Sequence, residues 1–165
     1  MPSRSHTSSN ITKIRPAAPE DTDFILSLVP RFVAFELPKG RRKRDVLGAI
    51  HADIEHALLD MPPRDRFFIA TDADSKRVGF LHLQVQLDFF SGVRACHVAD
   101  LAVAARRDGK GIGSALLAYA EKWARSHRCK LLTLSVFMGN TRARALYEHK
   151  GFAVELLRMA KPLDR

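Results

Sequence analysis

"DLAVAARRDGKGIGSALL", residues 100–117, begins as an apolar alternating run, passes through a charged loop and ends as the start of a helix. Gly109, Gly111 and Gly113 crowd the point where that helix begins. Glycine inside a regular element costs roughly 0.5–1 kcal/mol relative to alanine, so the bare backbone needs a reason. A helix N-terminus offers one. It carries unpaired N–H groups and about half a positive charge, and without side chains in the way a phosphate can rest on them. Gly109, Lys110, Gly111, Ile112, Gly113 and Ser114 are therefore expected to form an anion cradle. The P-loop pattern fails because Lys110 comes too early, and the G-x-G-x-x-G fingerprint fails because Ser114 or Leu116 replaces its third glycine. A glycine-rich turn without a ligand is the plainer alternative.

The flanking segments place this turn in a fold. Residues 11–17 alternate as a strand, 19–32 open with proline and acids as a helix does, and 44–61 carry Val46, Ile50, Ile54 and Leu58 at helical spacing. Residues 66–72, 77–87 and 93–104 are β-rich with short polar turns between them. Then come an amphipathic helix (111–128), a strand (130–138), a short helix (141–150) capped by Gly151, and a closing strand (152–161). The order β-α-α-β-β-β-α-β-α-β predicts an α/β fold with a mixed sheet and a right-handed crossover through residues 111–128.

Composition narrows the class. The chain has 165 residues, 46% of them hydrophobic, which suits one globular domain. No apolar run approaches the ~20 residues of a membrane span, and "MPSRSHTSSN" lacks a signal peptide's apolar stretch, so a cytoplasmic location is expected. Residues 1–10 read as a disordered tail ahead of a single domain over 11–165. Cys96 and Cys129 form no disulfide framework, and no histidine pair has zinc-like spacing, so no metal is expected. Lys and Arg number 27 against 18 Asp and Glu, a balance of +9 concentrated in "PKGRRKRD" (38–45). Such a charge favours polyanions or phosphorylated small molecules.

Two motifs then resemble one family. "DLAVAARRDGKGIGSALL" is similar to the acyl-CoA signature of the GNAT superfamily of N-acyltransferases, with Leu101 and Val103 at the strand end and Gly111 and Gly113 as the signature glycines. "NTRARALYEHKGF" resembles the family's later motif through Asn140, Ala143, Leu146, Tyr147, Gly151 and Phe152. The resemblance implies a mostly antiparallel sheet splayed at a central parallel strand pair, acetyl-CoA as cosubstrate, and an acceptor that is a small-molecule or peptide amine. One position departs from the pattern: the signature Gln/Arg falls on Asp108, a carboxylate beside the expected pyrophosphate. Arg106 can instead start the signature through Gly109 and Gly111, in a shifted register.

Roles follow from the resemblance. Leu101, Ala102 and Val103 offer backbone groups to the pantetheine arm, and Asn140 and Ala143 contact the cofactor, although Asn140 also suits a plain helix N-cap. Tyr147 corresponds to the general acid at the departing sulfur. His97 stands four residues before Leu101, at an offset where the family can carry the base; alternation puts it on the face of Ala99, Leu101 and Val103, with Asp100 opposite in a structural role. Glu36 and Glu155 are candidates to hold a cationic amine.

An acetyl-CoA-dependent N-acetyltransferase is the leading reading. A catalytically idle CoA-binding sensor shares its fold, and a basic nucleic-acid-binding module is disfavoured by the lack of any recognised motif. No membrane partner is expected, and a homodimer is compatible with the pattern.

Overall fold

The computed structural model describes residues 13–163. Strand β1 (Lys13–Pro16) leads through a 3₁₀ turn into a short helix α1 (Thr22–Ser27), a second 3₁₀ turn (Val29–Val33) and helix α2 (Lys43–Asp60). Strands β2 (Asp65–Thr71), β3 (Arg77–Leu87) and β4 (Arg94–Val103) follow as a meander. Helix α3 (Ile112–Ser126), strand β5 (Leu131–Leu134) and helix α4 (Thr141–His149) complete the elements. The sheet order is β1-β2-β3-β4-β5, antiparallel except for the parallel β4–β5 pair that α3 connects. This is the mixed α/β arrangement expected from the sequence.

Alternation along the meander sorts side chains to two faces. Phe68, Leu81, Leu83, Cys96 and Val98 pack against Ile112, Leu116 and Ala120 of α3. Phe67, Ile69, Phe80 and Ala102 pack on the opposite face, against Ile25 of α1 and Ile54 of α2. Cys96 is fully buried, and desolvation pushes its thiol up to about 12, so it is inert as a nucleophile.

At the start of the sheet Asp21, itself without exposure, accepts hydrogen bonds from Arg15 at 2.6 and 3.0 Å, from Arg77 at 2.6 Å and from the Ala18 N–H at 2.8 Å. The two guanidiniums tie β1 and β3 to the turn before α1.

Three expectations are corrected. The helix anticipated over 19–32 is broken into α1 and two 3₁₀ turns, and Pro30 in the second turn cannot supply a helical N–H. Residues 152–161 form no strand: Val154, Leu156, Leu157 and Met159 are largely exposed, and Pro162 comes up against Gly40. Their apolar composition suits a strand, but a strand also needs a paired neighbour, and this segment has none. As a result the parallel pair lies at the sheet's edge rather than at its centre.

Strand β4 also departs from simple alternation. His82 pairs with Asp100 and Leu83 with Val98, so Ala99 is an extra residue, a β-bulge. One inserted residue reverses the alternation downstream. His97 therefore shares a face with Asp100 and Ala102, not with Leu101 and Val103. That face carries α1 and α2.

Candidate active site

The β4–β5 ladder runs from Ala95 opposite Leu131 to Val98 opposite Leu134 and then stops, while β4 continues to Val103. Beyond Val98 the two strands part. The gap is a cavity of about 190 Å³ lined by Val98 to Leu101 from the bulged strand, Leu134 to Phe137 after β5, Asn140 and Tyr147. Its remaining wall comes from Phe32, Phe35 and Ile50. Phe35 meets Phe137 at 6.0 Å between ring centres, and the Glu36 carbonyl presses on Gly139 so closely that a Cβ there has no room. The segment just after the second 3₁₀ turn is thereby joined to the β5–α4 loop across the gap. A second depression, about 230 Å³ near Cys129, Leu131 and Phe152, gathers none of the cradle residues, nor His97 or Tyr147.

The glycine turn sits at the end of β4. Gly109 and Gly111 both have φ +75°, the left-handed region where a side chain strains the backbone. A Cβ on Gly109 would point into open space, the kind of space a ligand can use. Gly113 serves packing instead, for its Cβ would lie 3.1 Å from Leu146 of α4. The first bond closing the helix runs from the Ala115 N–H to the Gly111 carbonyl at 3.0 Å. The N–H groups of Ile112, Gly113 and Ser114 therefore precede the ladder and point out of the helix end. These residues fit a pyrophosphate: open space, a bare backbone and aligned donors.

Asp108 does not oppose that fit. Both its oxygens lie within 2.7 Å of Arg31 Nη2, and Arg142 Nη1 lies 3.1 Å away. Two guanidiniums thus cover the carboxylate, one from the second 3₁₀ turn and one from the first turn of α4. Both arginines escaped the sequence reading, since neither falls in a motif position. Arg106 is exposed, and Arg107 is held by Asp72.

The structure brings Leu101, Asn140 and Tyr147 to one cavity. Asn140 caps α4, its side chain accepting the Ala143 N–H at 3.2 Å. Tyr147 is half-buried, and burial raises its pKa, which keeps the phenol protonated. His97 stands beside the cavity wall rather than in it, with Nδ1 2.9 Å from the Thr133 hydroxyl on β5. Desolvation lowers its pKa, against the pull of Asp100. Glu36 and Glu155 are exposed and do not line the cavity. Asp100, which alternation had turned away, does line it. No cluster of metal-ligating side chains occurs among the described residues, and no described helix is long and apolar enough to cross a membrane.

Residues 35–152 match the model of the Acetyltransferase (GNAT) family. The aminoglycoside N(6')-acetyltransferase type 1 of Stenotrophomonas maltophilia is 31% identical over 88 residues, which are 52% of this chain and 58% of that protein. The chain thus matches little more than half of that relative's length. A putative acetyl transferase from Pyrococcus furiosus superposes with a TM-score of 0.74 at 26% identity, over 92% of this chain and 99% of that one. The glucosamine-6-phosphate N-acetyltransferase of Arabidopsis thaliana shares the fold, with a TM-score of 0.62 at 17% identity over 92% and 98% of the two chains.

Proposed function

The chain belongs to the acetyltransferase (GNAT) family, and on that footing we propose that it moves an acetyl group from acetyl-CoA to a primary amine by direct attack. The observation that carries this reading is the parting of β4 from β5 beside a bare helix N-terminus. One cavity there collects Leu101, Asn140 and Tyr147, and the anion cradle opens at the end of the same strand.

Acetyl-CoA supplies the activated acetyl thioester. The chain supplies the rest. The N–H groups of Ile112, Gly113 and Ser114 hold the pyrophosphate, with Gly109 leaving room, Gly111 taking the left-handed turn that starts the helix and Lys110 adding charge. Beyond Val98, the backbone of Leu101, Ala102 and Val103 has no β5 partner, so its polar groups on that side are open to the pantetheine arm. Asn140 and Ala143 border the same arm at the start of α4. Tyr147, kept protonated by burial, gives its proton to the departing sulfur. His97, kept neutral by desolvation, takes the proton that the acceptor nitrogen must shed. The wall formed by Phe32, Phe35 and Phe137 keeps water from the cleft.

The matching stretch of an aminoglycoside acetyltransferase supports an amine on a small molecule as acceptor. The reading is tested by following thiol release from acetyl-CoA with a panel of aminoglycosides, polyamines and peptide amines. Amine-dependent release is the expected result, and release independent of every amine contradicts it.

A further inference from the structure

His82 is fully buried in the middle of β3, yet both its ring nitrogens meet carboxylates. Nε2 is 2.6 Å from Asp65 Oδ1, and Nδ1 is 2.8 Å from Asp100 Oδ2. The ring stacks on Phe67 at 3.9 Å between centres, with 13° between the planes. Ionised carboxylates only accept hydrogen bonds, so the two contacts need a proton on each ring nitrogen. With a proton on each nitrogen the ring is an imidazolium between two carboxylates, a trio with one net negative charge.

The two carboxylates differ in their surroundings. Asp65 Oδ1 also accepts from the Gln84 amide at 2.8 Å, while Asp65 Oδ2 is buried without a hydrogen bond, its nearest cation being Arg64 Nε at 3.5 Å. Asp100 has no donor other than His82 among the described residues, and it lines the cavity between β4 and β5. The bulge at Ala99 makes this possible, because it turns Asp100 to the face of His82 and His97. A carboxylate held from behind and open to the cavity in front has the chemistry to accept an ammonium.

We propose that His82 is a positioning residue: clamped by Asp65, it holds the Asp100 carboxylate in the cleft as the anchor for an alkylammonium acceptor. This rests on the acetyltransferase reading and names the acceptor class that reading leaves open. His97, on the same face, then lies near the anchored nitrogen to receive its proton.

Two substitutions separate positioning from packing. His82→Asn keeps a donor where Nδ1 stood and retains the bond to Asp100; His82→Gln keeps one where Nε2 stood and retains only the bond to Asp65. Both lose the stack on Phe67. The probe acceptors are spermidine and tobramycin as alkylammonium ions and 4-aminobenzoate as an arylamine without a cationic nitrogen, assayed with the full chain. The alkylammonium ions should be acetylated and the arylamine not. The acceptor KM of H82Q should exceed that of H82N by roughly ten- to a hundredfold, the span of one hydrogen bond to a charged group, with kcat changed less. Both variants should keep the rise in melting temperature that acetyl-CoA gives the parent. In ¹⁵N-histidine-labelled parent protein, His82 should show two ring N–H protons.

Equal KM values in the two variants, acetylation of 4-aminobenzoate as good as that of spermidine, or a singly protonated His82 ring each overturn the proposal. If acetyl-CoA stabilises the chain but neither alkylammonium ion is acetylated, the anchor falls while the cofactor site stands. If acetyl-CoA gives no stabilisation, the acetyltransferase reading itself fails.

Discussion

Arg31 Nη2 lies 2.7 and 2.6 Å from the two carboxylate oxygens of Asp108, 77 positions along the chain. A carboxylate stands where the family signature has Gln or Arg, and this contact covers it. Removing the guanidinium in Arg31→Ala leaves Asp108 to the more exposed Arg142 and returns negative charge to the proposed phosphate cradle. Both partners are partly exposed, so the pair is worth about 1 kcal/mol or less. Acetyl-CoA affinity should fall roughly three- to sixfold, measured by calorimetry, and the double variant Arg31→Ala/Asp108→Asn should regain it.

Gly109 has φ +75° and open space where a side chain would go. Gly109→Glu places a carboxylate in that space and strains the backbone by about 1–2 kcal/mol. The melting temperature should drop modestly, and its acetyl-CoA-dependent rise should vanish. A rise of parental size would mean that the pyrophosphate lies elsewhere.

Asp21 couples stability to acid. Hydrogen bonding from Arg15, aided by the Ala18 N–H and Arg77 against desolvation, holds its pKa at about 2, well below the usual carboxylate range. A depressed carboxylate pKa stabilises the fold above the unfolded value, and that contribution is lost as pH falls through the folded one. The difference is about 2 kcal/mol, present above about pH 4 and gone near pH 2. Urea unfolding across this window should show the loss in the parent, and Asp21→Asn should remove its share of the slope. Identical slopes in the two proteins would contradict the assignment.

The layers of the fold could be read along the chain because they rest on local signals: alternation in β2 to β4, spacing in α2 and α3, and glycines at the turn. What the sequence hid was non-local or a matter of parity. The bulge at Ala99 has no marker such as glycine or proline, so counting by twos put His97 on the wrong face and Asp100 out of the cleft. Arg31 and Arg142 reach Asp108 from other elements, and His82 looked like any residue of a half-apolar strand. Residues 152–161 show the converse error, since strand-like composition cannot supply a pairing partner.

His97 should set the acid limb of the rate profile. Desolvation lowers its pKa, so the base stays deprotonated further into acid than a free imidazole would. The limb for kcat/KM should lie below pH ~6.5, the ordinary histidine value. His97→Gln should flatten the limb, while Thr133→Val should shift it and leave it present. A limb unchanged in His97→Gln would assign the base to another group.

Whether the proposed acid, Tyr147, acts in the cleft between β4 and β5 is decided by comparing binding with turnover in Tyr147→Phe. The substitution keeps the ring against Phe152, 5.9 Å away between centres, and removes only the hydroxyl. Acetyl-CoA affinity by calorimetry should match the parent within about twofold, while kcat on an accepted amine should fall roughly 10²–10⁴-fold, the span of general acid catalysis. Parental turnover in Tyr147→Phe would contradict the mechanism and leave the tyrosine a packing residue.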